Sequence, residues 1–304
     1  MSASPAPDPS VRPLPPARRA KLIASLALAA LIVWSLVTVG IEFDRILDLP
    51  RGLAHIFNVM FLKRGPEWSY FPDALGGMIE SLQIAWVGTI IGAVLSLPMG
   101  LLGAKNVTGG LGSNVMRQVL NAIRAVPEVL LAVIIFIPIV GIGGTASAYA
   151  GTLAIGVHSI GTLGKLTAEV VEGIDPGPVE AARAVGGSPA QVQRWGVLPQ
   201  VMPEIVAFWL YRFEINIRAS AILGVVGAGG VGEALQQAMV FGRLERAGII
   251  IIVIIVATIL IDTASAWLRR RIIEGSGARR ALGDELAEPS LAGTGAARID
   301  TDAG

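Results

Sequence analysis

The chain has 304 residues, 53% of them hydrophobic, with 24 Lys and Arg against 23 Asp and Glu. That apolar content indicates an integral membrane protein, and a near-zero net charge with scattered basic residues argues against a nucleic-acid partner. There is no cysteine and there are only two histidines, His55 and His158, so disulfides and thiolate chemistry are excluded and a histidine metal site has little to build on.

Residues 1–21 (MSASPAPDPSVRPLPPARRAK) are Pro-rich and polar, which predicts a disordered tail. The apolar stretch at 22–40 is longer than a signal-peptide core and no small-residue cleavage site follows it, so it reads as a retained first span. Further apolar windows lie near 78–104, 119–141, 148–170, 201–223 and 247–268, giving an all-α membrane protein of about six spans. The window at 119–141 is interrupted by Arg124, Pro127 and Glu128, and the four-residue spacing of Arg124 and Glu128 predicts a pair on one helical face. The expected organisation is therefore a tail (1–21), a first span with its outer loop (22–74), a membrane core (75–270) and a loose Gly/Ala-rich tail (271–304).

Arg12, Arg18, Arg19 and Lys21 precede the first span and Arg269, Arg270 and Arg271 follow the last, so the positive-inside rule puts both termini in the cytoplasm. The outer loop, 41–77, opposes this with Arg45, Arg51, Lys63 and Arg64. Its segment RGLAHIFNVMFLKRG mixes apolar and basic positions as an interfacial segment does, and Trp68, Tyr70 and Phe71 suit an aromatic belt.

Between the fourth and fifth windows, residues 175–199 (DPGPVEAARAVGGSPAQVQRWGVLP) specify two short helices. Pro178 suits a first helical position with Glu180 in the first turn, and Gly186-Gly187 is a stop signal. Ser188, Pro189 and Gln191 form a second start with a capping box, and Gly196 and Pro199 are expected to end that helix. A helix–Gly–helix elbow on the cytoplasmic side is a docking shape.

On the fifth span, Arg212, Asn216 and Ser220 step by four along one face, while Glu214 and Arg218 are placed for an intrahelical pair nearly opposite. Charges at membrane depth cost roughly 2.5–3.5 kcal/mol each on insertion scales, so they face a bundle interior or a watery path. A polar-solute pathway and purely structural inter-helix pairing both remain open. Beyond them, Gly227, Gly229 and Gly232 match a dinucleotide fingerprint in spacing but have no βαβ unit around them; small residues for close packing or a turn are the alternative, with Gly229 and Gly230 as gate candidates. His158 reads as a hydrogen-bonded histidine or a proton relay, and Lys165 with Glu169 as a helix-face pair. No catalytic, metal or cofactor residues are expected. No HExxH site occurs, His158 and Ser159 are neighbours that diverge on a helix, and GTLGKLT lacks the spacing of a phosphate loop, so any ATP hydrolysis belongs to another chain.

EAARAVGGSPAQVQRWGVLP resembles the EAA loop of ABC-importer permeases, through Glu180, Ala181, Ala182, Gly186, Leu198 and Pro199; it departs at Gly196, where the family tends to an aliphatic residue. RAVPEVLLA (124–132), GKLTAEVVEGID (164–175) and FEINIRASAILGVVGAGGVG (213–232) most resemble phosphonate importer permeases, so the likeness covers roughly 75–270. The resemblance implies a loop inserted in a cytoplasmic ATPase, with Glu180 making polar contacts, Ala181 and Ala182 allowing close approach, Gly186 giving the bend and Ser188 starting the second helix. It implies two copies of that ATPase, a periplasmic or lipid-anchored phosphonate-binding protein and a second copy of the chain in the inner membrane. Phosphate, phosphite and methionine are the rival solutes.

Overall fold

A computed structural model describes residues 18–39, 43–63, 65–140 and 145–287, and all regular elements among the described residues are helical. The rest of the 1–21 and 271–304 tail expectations lies outside them. Contacts divide the chain into units Met1–Phe57 and Asn58–Gly304.

The first unit holds α1 (Arg18–Val39) and α2 (Phe43–Phe57). From residue 20 onward α1 is exposed along its whole length and apolar on every face, the composition of a helix that lies in lipid. Much of the expected outer loop is helical instead. On α2, Leu49, Leu53 and Ile56 recur on one face while Asp48, Arg51 and His55 occupy another, the two-sided pattern of an interfacial helix. Arg51 and Asp48 pair at 3.2 Å across one turn.

The second unit begins with a wide π-helical turn, Asn58–Lys63, and continues into α3 (Phe71–Gly103), α4 (Lys105–Ala125), α5 (Glu128–Val140) and α6 (Thr145–Glu172). After the elbow come α7 (Pro176–Ala184), α8 (Pro189–Val192), α9 (Leu198–Val225), α10 (Val231–Val240) and α11 (Leu244–Ala287). Among the described residues, four helices are long and apolar enough to cross a membrane, or five if the bent α4–α5 pair is one span. The expected window at 148–170 is α6, 28 residues long, whose Gly, Ser and Thr content keeps it out of that count.

α3 and α6 lie together because glycine lets them. A Cβ on Gly88 would stand 2.8 Å from Ile155 Cγ2, one on Gly100 would stand 2.9 Å from the Gly164 carbonyl, and one on Gly92 would collide with Ser159 Cβ. Hydrocarbon offers helices no reason to leave it, so close van der Waals approach at small residues carries the association. α9 crosses this pair, and Leu223, Ile155 and Ile84 fill the space between the three.

Two polar ties hold the ends. Arg246 at the start of α11 donates through Nε and Nη2 to the Glu67 carboxylate at 2.8 and 3.0 Å and stacks 4.9 Å over Tyr70. That hydrogen bond holds the Glu67 carboxyl below its usual range, against a smaller opposing effect of burial. At the other end Glu172 accepts from the Lys105 backbone N–H at 2.7 Å and pairs with Arg117 at 2.6 Å.

Two expectations are corrected here. Arg124 and Glu128 do not share a helical face, because the chain breaks between them: Val126 is extended (φ −89°, ψ 117°) and α4 and α5 meet at 75°. The ring of Pro127 disfavours helical geometry at the residue before it. The expected loose tail from 271 is helical as far as Ala287, in keeping with helix-forming Arg, Ala, Leu and Glu up to the proline at position 289.

Candidate functional site

Thr89, Ser159, Arg212 and Asn216 meet where α3, α6 and α9 cross. Arg212 Nε donates to Ser159 Oγ at 3.0 Å. Asn216 Nδ2 donates to Ser159 Oγ at 3.1 Å and to Thr89 Oγ1 at 2.9 Å, and the Thr89 hydroxyl donates to the Ala85 carbonyl at 2.6 Å. All four are buried, Arg212 to 6% exposure and Asn216 and Ser159 to 0%. Ser159 and Arg212 both sit at the midpoint of 28-residue helices, about 20 Å from either end at 1.5 Å per residue. A cation therefore lies mid-bundle, and its Nη2 is buried with no hydrogen-bond partner among the described residues. Buried polar groups are nearly always satisfied, so an orphan donor on a guanidinium marks a place for an acceptor.

The α4–α5 break borders this node. His158, beside Ser159, has Nδ1 3.1 Å from the Val126 carbonyl and Nε2 3.6 Å from Glu128 Oε2, so the imidazole braces the break. Helix breaks at membrane depth are tolerated where protein buries them or a cavity runs past. Ser220, the third member of the predicted stripe, is buried one turn beyond Asn216 and donates to the Ile217 carbonyl at 2.8 Å.

The predicted Glu214–Arg218 pair does not form. Both side chains turn to α11: Arg218 pairs with Asp262 at 3.0 Å, and Arg269 approaches the buried Glu214 at 3.4 Å while lying 5.8 Å over Tyr211. The reason is the neighbouring helix, which brings an opposite charge to each partner from outside α9. Lys165 and Glu169 keep their helix-face pair at 3.6 Å.

After α9 the chain turns through Gly227, Gly229 and Gly230, all at positive φ (89°, 80° and 75°). Gly224 and Gly232 then let α10 fold back on α9, where a Cβ on Gly224 would stand 2.8 Å from the Glu233 nitrogen. Gly229 lies against Glu80 and Ala148, and Gly230 against Ser81, whose hydroxyl accepts from the Val231 N–H at 2.9 Å. The glycine spacing serves a turn and close packing.

The elbow forms with one shift in register. α7 starts at Pro176, capped by Asp175, whose Oδ1 accepts from the Gly177 N–H at 2.9 Å, so Pro178 sits in the first turn rather than at its first position. The helix ends in a Schellman turn: Gly186 at φ 80°, its N–H bonded to the Arg183 carbonyl at 2.9 Å and the Gly187 N–H to Ala182 at 3.0 Å. Ser188 and Gln191 make the reciprocal capping box at 3.4 and 2.8 Å. Gly196 and Pro199 do not end the second helix; it runs on through a π-helical turn, Gln193–Val197, into α9. Gly196 is instead the contact with α7, where a Cβ would meet Val179 Cα at 3.1 Å. Glu180, Ala181, Gly186, Ser188 and Pro199 are exposed, Ala182 and Leu198 half-buried, and Val185 and Trp195 stand out at 86% and 68% exposure.

Residues 96–274 match the family model for binding-protein-dependent transport system inner membrane components. The chain belongs to this family. It is 37% identical over 243 residues to a phosphite transport system permease of Stutzerimonas stutzeri, covering 79% of this chain and 86% of that one. It is 43% identical over 207 residues to a phosphate-import permease of Mycolicibacterium smegmatis, covering 66% of this chain and 38% of that longer protein. It is also 43% identical over 121 residues, 40% of this chain and 99% of the other, to a putative cryptic phosphonate transport permease of Escherichia coli. Among solved structures an inward-facing methionine ABC transporter matches with TM-score 0.54 and 25% identity, over 65% of this chain and 95% of that one. The protein is thus an ABC-importer permease, an all-α multi-pass membrane component that works with an ATP-binding subunit and a substrate-binding protein. It is not an enzyme: the ATP is hydrolysed by the separate subunit.

Sequence reasoning missed Ser159, Thr89, Asp262 and Arg269 as partners of the buried charges. Hydroxyls inside apolar windows give little signal, but Asp262 in ATILIDTASAW was a legible one: an acid inside a span needs a partner.

Proposed function

We propose that this permease carries phosphonates inward across the membrane, as one of two identical halves of the translocator. Arg212 carries the proposal: a guanidinium at mid-bundle with a buried, unpartnered Nη2 is a ready donor for an oxyanion. Similarity to permeases named for phosphite, phosphate and phosphonate transport supports the same anion class.

In this proposal α1, α3, α4–α5, α6, α9 and α11 are six spans with both termini cytoplasmic. The 175–199 elbow then enters the ATPase, with Glu180, Ala181, Ala182, Gly186 and Ser188 at the contact and Leu198 and Pro199 leading into α9. A symmetric pair engages two ATPase copies, and a phosphonate-binding protein delivers solute at the opposite face, beside the Gly229–Gly230 turn, which serves as the outer gate. Arg212, Asn216 and Ser220 line or brace the path, while Glu214 and Arg218 fasten α9 to α11.

The test is uptake of radiolabelled methylphosphonate by cells expressing the chain with its ATPase and binding protein. ATP-dependent uptake blocked by excess phosphonate but not by phosphate, phosphite or methionine is the expected result. Block by one of those three would overturn the solute and keep the mechanism.

A further inference from the structure

We infer that Ser159 is a positioning residue that turns Arg212 into a one-edged oxyanion clamp; this rests on the assignment of Arg212 to the solute path. Donor and acceptor accounting supports it. Asn216 has two amide hydrogens, and Nδ2 sends one toward Ser159 and one toward Thr89, at 3.1 and 2.9 Å. The Thr89 hydrogen goes to the Ala85 carbonyl. Ser159 Oγ receives both Asn216 and Arg212 Nε, at 3.1 and 3.0 Å. A hydroxyl has two acceptor sites and one hydrogen. Both of its acceptor sites are filled, and its own hydrogen has Asn216 Oδ1 within reach at 3.5 Å. Ser159 Oγ is thereby the shared acceptor that ties Arg212 Nε to Asn216 Nδ2.

A guanidinium presents donors in a fixed fork, and carboxylates or phosphates take two of them at once. With Nε held by Ser159, the terminal edge that contains Nη2 is the one left, and Nη2 is the atom without a partner. Gly92 completes the arrangement, because any Cβ there would collide with Ser159 and displace the hydroxyl from its place between α3 and α9. Lysine at 212 has no equivalent, since an ammonium offers no second edge once its tip is engaged.

The experiment measures methylphosphonate uptake as a function of solute concentration in the complete importer, for Ser159→Ala, Arg212→Lys, Arg212→Ala and the Ser159→Ala/Arg212→Lys double variant, with ATP hydrolysis and thermal midpoint recorded for each. Losing an oriented charged donor should lower uptake by about tenfold or more in Ser159→Ala. Assembly and ATP hydrolysis should persist, and the double variant should be no worse than Arg212→Lys alone. If Ser159→Ala does not assemble, Ser159→Cys, near in size with a weak acceptor, takes its place with the same expectation. Normal uptake in Arg212→Lys and in Arg212→Ala would defeat the pathway assignment itself. A strong Arg212 effect with no Ser159 effect, or losses that multiply in the double variant, would overturn the positioning role and leave the pathway standing.

Discussion

Arg218 donates to both carboxylate oxygens of Asp262, at 3.3 and 3.0 Å, although Glu214 lies one turn away on its own helix. The choice follows from geometry. An i,i+4 pair requires two long side chains to bend along the same helix, whereas α11 presents Asp262 directly across the crossing. Together with Arg269 on Glu214, this makes two charge links along one helix pair.

A double-mutant cycle tests the pairing. Arg218 and Asp262 are each nearly half exposed, so their coupling should be about 0.5–1 kcal/mol. The Arg218–Glu214 cycle should give a coupling near zero. Unfolding of the detergent-solubilised protein, followed by circular dichroism, supplies both numbers, and a larger 214–218 coupling would reject the arrangement.

Glycine on α3 offers a matched pair of substitutions. Gly92→Ala places a methyl on Ser159 Cβ, an overpacking expected to destabilise by about 1–3 kcal/mol. Gly76→Ala, on the same helix with nothing within 4 Å, should be neutral or stabilising by about 0.5–1 kcal/mol. Thermal midpoints of the two variants should therefore move in opposite directions or differ sharply.

The elbow depends on Gly186 at φ 80°. Gly186→Val forces a branched side chain into the left-handed region and should destabilise the elbow by about 1–2 kcal/mol, with Gly186→Asn milder because asparagine tolerates that region. Ser188→Ala removes the capping box for about 1 kcal/mol. Amide hydrogen exchange across residues 176–192 should accelerate in Gly186→Val and Ser188→Ala while the rate in α3 is unchanged.

Acid should loosen the α4–α6 tie. Burial opposes ionisation of Glu172, but the Lys105 N–H and Arg117 outweigh it and hold its carboxyl below the ordinary value of 4.5. A lowered native value means the unfolded chain binds the proton first, so the contribution is complete above about pH 4.5 and is lost as pH falls through the native value. The thermal midpoint of wild type should drop more between pH 6 and pH 4 than that of Glu172→Gln, by roughly the slope one titrating group gives. Equal slopes would remove Glu172 from the tie.

The elbow was legible in advance because its grammar is local. Ser188, Gln191 and Gly186 act within a few residues of themselves, and the capping box and glycine stop formed as written. The first elbow helix starts at Pro176 rather than at Pro178 because Asp175, three residues before Pro178, caps it through the Gly177 N–H. The Arg212–Asn216–Ser220 stripe was legible for the same reason, since a helix places every fourth residue on one face. The break at Val126 was half legible: Pro127 marks it, but the apolar window runs on to residue 141 and carries no sign of the 75° bend.

The apolar windows, the elbow and the buried polar stripe were determined by the sequence itself, because span length, caps and helical period depend on neighbours a few residues away. Only the tertiary structure decided what each intramembrane charge does. Arg212 finds Ser159 from 53 residues away, Arg218 finds Asp262 across 44, and Glu214 finds Arg269 rather than its helical neighbour. In a low-dielectric interior an ion takes whichever opposite charge or dipole the packing brings nearest, and glycine-mediated helix approach determines which one that is.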